Sequence, residues 1–136
     1  MEKRDYLLRQ IEALGRILSR LRELITGSAT SAALGEIREE MRNAGLDLSM
    51  ANALDGKTLL MLLGSPVLDV RRAFLVASLL HMDALRARAD GDPTWAGRSD
   101  ANALSLLTAV RPMLDPERAA LADRMLEEIR ATPTPG

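Results

Sequence analysis

From residue 3 to about residue 130 the apolar positions recur every three or four residues, and no stretch alternates convincingly with a period of two. That spacing belongs to amphipathic helices sharing one core, so the fold class expected is all-α. The first helix is expected from Lys3 to about Thr26. Leu7, Ile11, Leu14, Leu18, Leu21 and Ile25 fall at alternating spacings of four and three, an a/d seam of about three heptads. Ile17, Leu24 and Leu8 widen the stripe to roughly 200° of the helix, where packing on the chain's own core needs about 100° or somewhat more. Asp5–Arg9 and Glu12–Arg16 are acid-before-base pairs on the other side, and Gly27-Ser28 ends the helix.

A second, surface helix is expected from Thr30 or Ser31 through Ala44, with Gly45 as its cap and only Leu34, Ile37 and Met41 as apolar contributions. Leu48 to Leu54 and a segment after Asp55-Gly56 through Leu63 read as two short helices, with one bent helix as the alternative. The stretch from Ser65 to Gly91 is the centre of the chain. Ser65-Pro66 supplies a start signal, Gly91 a stop, and Ala73 to Met82 is apolar or small in nearly every direction, as a helix buried all round requires. Asp92-Pro93 starts another helix, expected to reach Val110 because Arg111 precedes Pro112. Asp115-Pro116-Glu117 repeats the signal for a last helix to about Arg130, and Ala131 to Gly136 forms a tail. Residues 1–130 therefore read as one domain of about six helices.

The 136 residues suffice for one core. Cysteine is absent, which excludes disulfides and thiolate chemistry. Eighteen basic and 19 acidic residues leave a net charge of −1, and the aromatics are Tyr6, Phe74 and Trp95. With neither a basic field nor stacking surface, no nucleic-acid partner is expected. The opening MEKRDYLL has no apolar core of signal-peptide length, and Arg71, Arg72, His81 and Asp83 interrupt the most apolar stretch. The expectation is a cytoplasmic protein with no membrane partner.

A faint repeat runs through the second half. Leu68-Asp69-x-x-Arg72-Ala73-x-Leu75 recurs as Leu114-Asp115-x-x-Arg118-Ala119-x-Leu121, and Ala-Asn-Ala-Leu precedes each copy, at Ala51–Leu54 and Ala101–Leu104. The segment from Leu104 through Pro112 to Asp115-Pro116 resembles the second helix and exit of a tetratricopeptide-type hairpin. It departs from that repeat in an Ala103-to-Pro116 spacing one residue longer and in a longer preceding helix. The resemblance implies antiparallel helical hairpins after the long amphipathic first helix. Separately, Asp5-Tyr6-Leu7-Leu8-Arg9-Gln10-Ile11-Glu12 is similar to the opening of a family of small uncharacterised bacterial helical proteins, which implies a helical fold and no site residues.

Candidate chemistry is sparse. Gly56-Lys57-Thr58 lacks the earlier glycine and the strand of a phosphate loop, so a capped helix break is expected there. His81, the one imidazole, has Ala77 and Leu85 one turn away and no helical metal partner. It reads as a core histidine bonded to a carbonyl or to Ser78. Glu36, Glu39, Glu40, Glu127 and Glu128 read as solvated faces. Arg71-Arg72 points to pairing with Asp69 or a neighbouring acid, with an anion site as the alternative. No catalytic residue, metal or cofactor is expected.

Two functions follow. The first is a non-enzymatic interaction or scaffold module that homodimerises through Ile17, Leu21, Leu24, Leu14 and Leu18 on the first helix, whose surplus apolar stripe a second copy would cover, and that offers a surface to a protein or peptide partner. The alternative is a small-molecule-binding regulator or enzyme with an apolar pocket between helices near Arg71, Arg72, His81 and Trp95.

Overall fold

The computed structural model of the chain describes residues 9–64 and 69–132. Among them, besides the helical residues 9–12, are seven α-helices and one 3-10 turn, and no strand. The helices are α1 (Leu14–Thr26), α2 (Thr30–Asn43), α3 (Leu48–Ala53), α4 (Gly56–Gly64), α5 (Val70–Ala89), α6 (Pro93–Val110) and α7 (Pro116–Ala131), with the turn at Arg111–Met113. Residues 48–64 form two short helices, so the bent-helix alternative fails. The first helix is less uniform than expected. Residues 9–12 are helical and Ala13 is a turn, although the i to i−4 bonds Ala13 N–H to Arg9 O and Ile17 N–H to Ala13 O carry across it.

Aspartates start most of these helices. Asp47, Asp55, Asp69, Asp92 and Asp115 each accept a hydrogen bond from the backbone N–H three residues on, and Pro93 and Pro116 occupy the first turns of α6 and α7. Such a cap satisfies an N–H that has no helical partner. The central helix therefore begins at Val70 under Asp69, and not at Ser65-Pro66, whose own placement lies outside the described residues. Gly91 stops α5 with φ +77°, and Gly45 follows α2 with φ +88°. After α1 it is Ser28, not Gly27, that takes the left-handed conformation.

Helix α5 is the hub. It packs most extensively on α6, its antiparallel neighbour across Gly91, and also meets α1, α2, α4 and α7. Ala73 to Ala84 is buried without interruption. Phe74, Leu75, Leu79, Leu80 and Met82 are fully enclosed, each worth about 1.5–3 kcal/mol of transfer free energy. One main core joins α5 to Leu14, Leu18 and Leu21 of α1, to Ile37 and Met41 of α2, and to Leu106 and Leu107 of α6. Leu14, Leu18 and Leu21 thus face the chain's own interior. Ile17 and Leu24 are only partly buried.

The two Ala-Asn-Ala-Leu segments meet in space. The Asn102 amide, in the second, donates to Ala51 O and Leu54 O in the first, tying α6 to the end of α3. Asp69 and Asp115 cap α5 and α7 in the same way, each receiving the N–H of an arginine three residues on.

Candidate functional site

Two polar clusters form across the α5–α6 hairpin, where Asp83 and Ser99 lie at equal distances in sequence from Gly91. Asp83 lies at the centre of the first. Its Oδ1 accepts from Arg86 Nε and Nη2 at 3.2 and 2.8 Å, and its Oδ2 from Trp95 Nε1 at 2.6 Å and Ser99 Oγ at 2.7 Å. Asn52 of α3 extends the cluster, donating to Trp95 O and Ser99 Oγ while its own oxygen accepts from Arg98 Nε. Arg86 also donates to Asp90. Burial opposes its charge, but Asp83 and Asp90 outweigh that cost and raise its pKa. Four donors on one buried carboxylate leave it no capacity for a ligand.

His81 organises the second cluster, on the side of α5 towards α7. Its ring is 1% exposed and Nδ1 lies 2.8 Å from Asp100 Oδ1, while Arg88 Nη1 lies 2.8 Å from the other Asp100 oxygen. Nε2 is buried without a hydrogen bond and faces Glu128 Oε1 at 3.5 Å. Arg22 of α1 grips Glu128 through two bonds of 3.0 and 2.6 Å. This pairing holds the Glu128 carboxyl below the ordinary glutamate range, burial opposing and His81 adding to it. The imidazole partner is therefore Asp100, not a carbonyl or Ser78, whose hydroxyl donates to Phe74 O. Glu128 is not a plain solvated carboxylate either.

The other sequence candidates fall into separate places. Arg71 is exposed. Arg72 donates to Ala44 O at 2.6 Å and reaches Gly45 O, capping the end of α2; there it completes one helix's carbonyls rather than waiting for an anion. Trp95 belongs to the Asp83 cluster, with Arg98 over its ring at 5.7 Å. Arg72, His81 and Trp95 thus have separate partners, and none of these three or Arg71 lines either groove flanking α1. Gly56-Lys57-Thr58 opens α4 under the Asp55 cap. Gly56 is needed for close approach to α6, since a Cβ there would sit 2.2 Å from Ser105 Oγ. Glu36 pairs with Arg20, and Glu40 accepts from Gln10. Among the described residues no group of three or more His, Asp or Glu side chains is arranged to hold a metal, and no helix is long and apolar enough to cross a membrane.

Two open grooves flank α1. One, of about 690 Å³ between α1 and α2, is lined by Ile17, Ala32 and Gly35 together with Arg20, Arg42 and three glutamates. The other, of about 620 Å³ between α1 and α7, is lined by Leu18 and Leu121 and by Arg22, Arg124 and Glu128 among its charged residues. Sequence reading missed Asp83, Asp100, Asn52 and Asn102 as buried polar groups. The signal available was the position of Asp83 inside an apolar run, and the mirror spacing of Asp83 and Ser99 about Gly91. A scan against protein-family models matches none to this chain, and searches of curated proteins and of solved structures find no match.

Proposed function

We propose that the chain is a non-enzymatic helical interaction module that pairs with a second copy along the outer side of α1 and α2. The observation that carries this reading is the composition of the α1–α2 groove. Its apolar and small residues, Ile17, Ala32 and Gly35, lie among Arg20 and Arg42 on one hand and Glu36, Glu39 and Glu40 on the other. A surface with both signs of charge around an apolar floor complements itself when rotated by a two-fold axis. Leu24 lies two turns on from Ile17 and is also only partly buried, so it extends the strip. The interior argues the same way. The buried carboxylate Asp83 is saturated by its own protein donors, and Glu128 is held ionised by Arg22, which makes it a weak base. A tetratricopeptide-like arrangement of hairpins behind a long amphipathic first helix, kinship with the small bacterial helical proteins, and a cytoplasmic setting without nucleic-acid or membrane partners belong to the same proposal.

Sedimentation velocity on the purified chain tests it. A dimer at about 100 μM is expected, since a specific interface of ordinary size holds at micromolar or better. Ile17→Arg together with Leu24→Arg should give a monomer with unchanged helical circular dichroism. A wild-type monomer at that concentration overturns the reading.

A further inference from the structure

The His81 cluster does more than fill the interior. We propose that His81, Glu128 and Arg22 form a proton-operated clasp that holds the C-terminal half of α7 and helix α1 against α5. Three observations carry it. The ring is enclosed, its Nδ1 is engaged by Asp100, and its Nε2 is left with one group in front of it, the Glu128 carboxylate at 3.5 Å. With a proton on Nδ1 alone, Nε2 turns a lone pair towards a carboxylate, acceptor against acceptor. With a proton on both nitrogens, Nε2–H donates towards Glu128 and the ring bridges two carboxylates, one on α6 and one on α7.

The surrounding charges make that proton the variable one. Arg88 on the same helix pairs with Asp100, and Arg22 on α1 pairs with Glu128, so the two guanidiniums balance the two carboxylates. Asp83, two residues along α5, is saturated by its own donors. The side chains that α2 and α4 bury are Ala33, Ile37, Met41, Leu59 and Leu63, none of which titrates. The exchanging proton passes to solvent at the α1–α7 groove, where Glu128 is 37% exposed. Histidine is the side chain whose charge changes between about pH 5 and 8. Glu128 stays ionised across that window, so the clasp closes at its acidic end and opens as pH rises through it. Arg22 passes the effect to α1, because it grips the same carboxylate that the ring engages.

The test is hydrogen exchange on the full chain at pH 6 and pH 8, corrected for intrinsic rates, with nitrogen-15 spectra of the single imidazole. Closure should coincide with protons on both ring nitrogens. Protection of the amides in 125–129 and in 18–22 should fall about fivefold from pH 6 to pH 8, while α6 is unchanged. Glu128→Gln should abolish this dependence. Arg22→Gln, a second variant in case the first folds poorly, should remove it from α1 and keep it in α7. Equal protection at both pH values in the wild-type chain overturns the clasp, and so does a dependence that survives Glu128→Gln. The 125–129 amides separate this readout from dimer formation, because they lie on α7 whereas the proposed contact lies on α1 and α2.

Discussion

Asp83 and His81 sit two residues apart on the same buried helix, yet their surroundings differ in kind. Asp83 receives four hydrogen bonds from Arg86, Trp95 and Ser99, all within α5 and α6. His81 has one ring nitrogen satisfied by α6 and the other facing a half-exposed glutamate of α7. A saturated buried polar cluster fixes one packing arrangement, because every alternative strands a group that has left water. A cluster with one unmade bond at a solvent-reached edge imposes no such constraint on that side. The α6 side of α5 is therefore a lock, and the α7 side is adjustable.

Breaking the lock should cost the most. Asp83→Ala leaves Arg86 beside an unfilled space and strands the Trp95 and Ser99 donors, so a loss of about 3–5 kcal/mol is expected in a denaturant melt. A loss below about 1 kcal/mol would show that the cluster does not hold the hairpin. Trp95→Phe removes a single donor from the same carboxylate and keeps most of the ring, and should cost about 1.5–3 kcal/mol. Glu128→Gln tests the adjustable side and should cost less than about 1 kcal/mol at neutral pH, since the Arg22 pair is well exposed.

The sign of its pH dependence is fixed by the lowered Glu128 value. The unfolded chain binds the glutamate proton first as pH falls below the ordinary 4.5. Stability from Glu128 is complete above that value and is lost as pH drops through the folded one. Acid melts between about pH 5 and 3 should therefore show a shallower stability loss in Glu128→Gln than in the wild-type chain. Parallel slopes would mean that Arg22 and His81 leave the carboxylate unaffected.

Local signals were legible wherever the chain closes on itself within a few residues. Asp92-Pro93 and Asp115-Pro116 begin α6 and α7, and Gly91 ends α5, because caps are made by neighbours in sequence. The same logic applied to Ser65-Pro66 chose the wrong start for α5, since Asp69 offers an equal cap nearer the apolar run. Ser28 taking the left-handed position beside Gly27 is a further local choice that residue type alone does not predict. Apart from Arg86, one turn along from Asp83, the partners of Asp83, His81 and Asn102 lie 12 to 51 residues away, and no local rule reaches that far.

By itself the sequence determined that the chain is helical, where most helices begin and end, and that α5 is the buried one. The spacing of apolar residues and the chemistry of aspartate, proline and glycine act over one or two turns, and they suffice for that. Tertiary structure alone decided what each face meets. The stripe of α1 is a single band in sequence, but packing divides it between an interior row, Leu14, Leu18 and Leu21, and a partly buried flank at Ile17 and Leu24. Arg72 became a cap for α2, and Glu128 came to face a histidine 47 residues earlier. Those outcomes depend on the angles at which helices cross, which follow from how all the side chains fill a common volume.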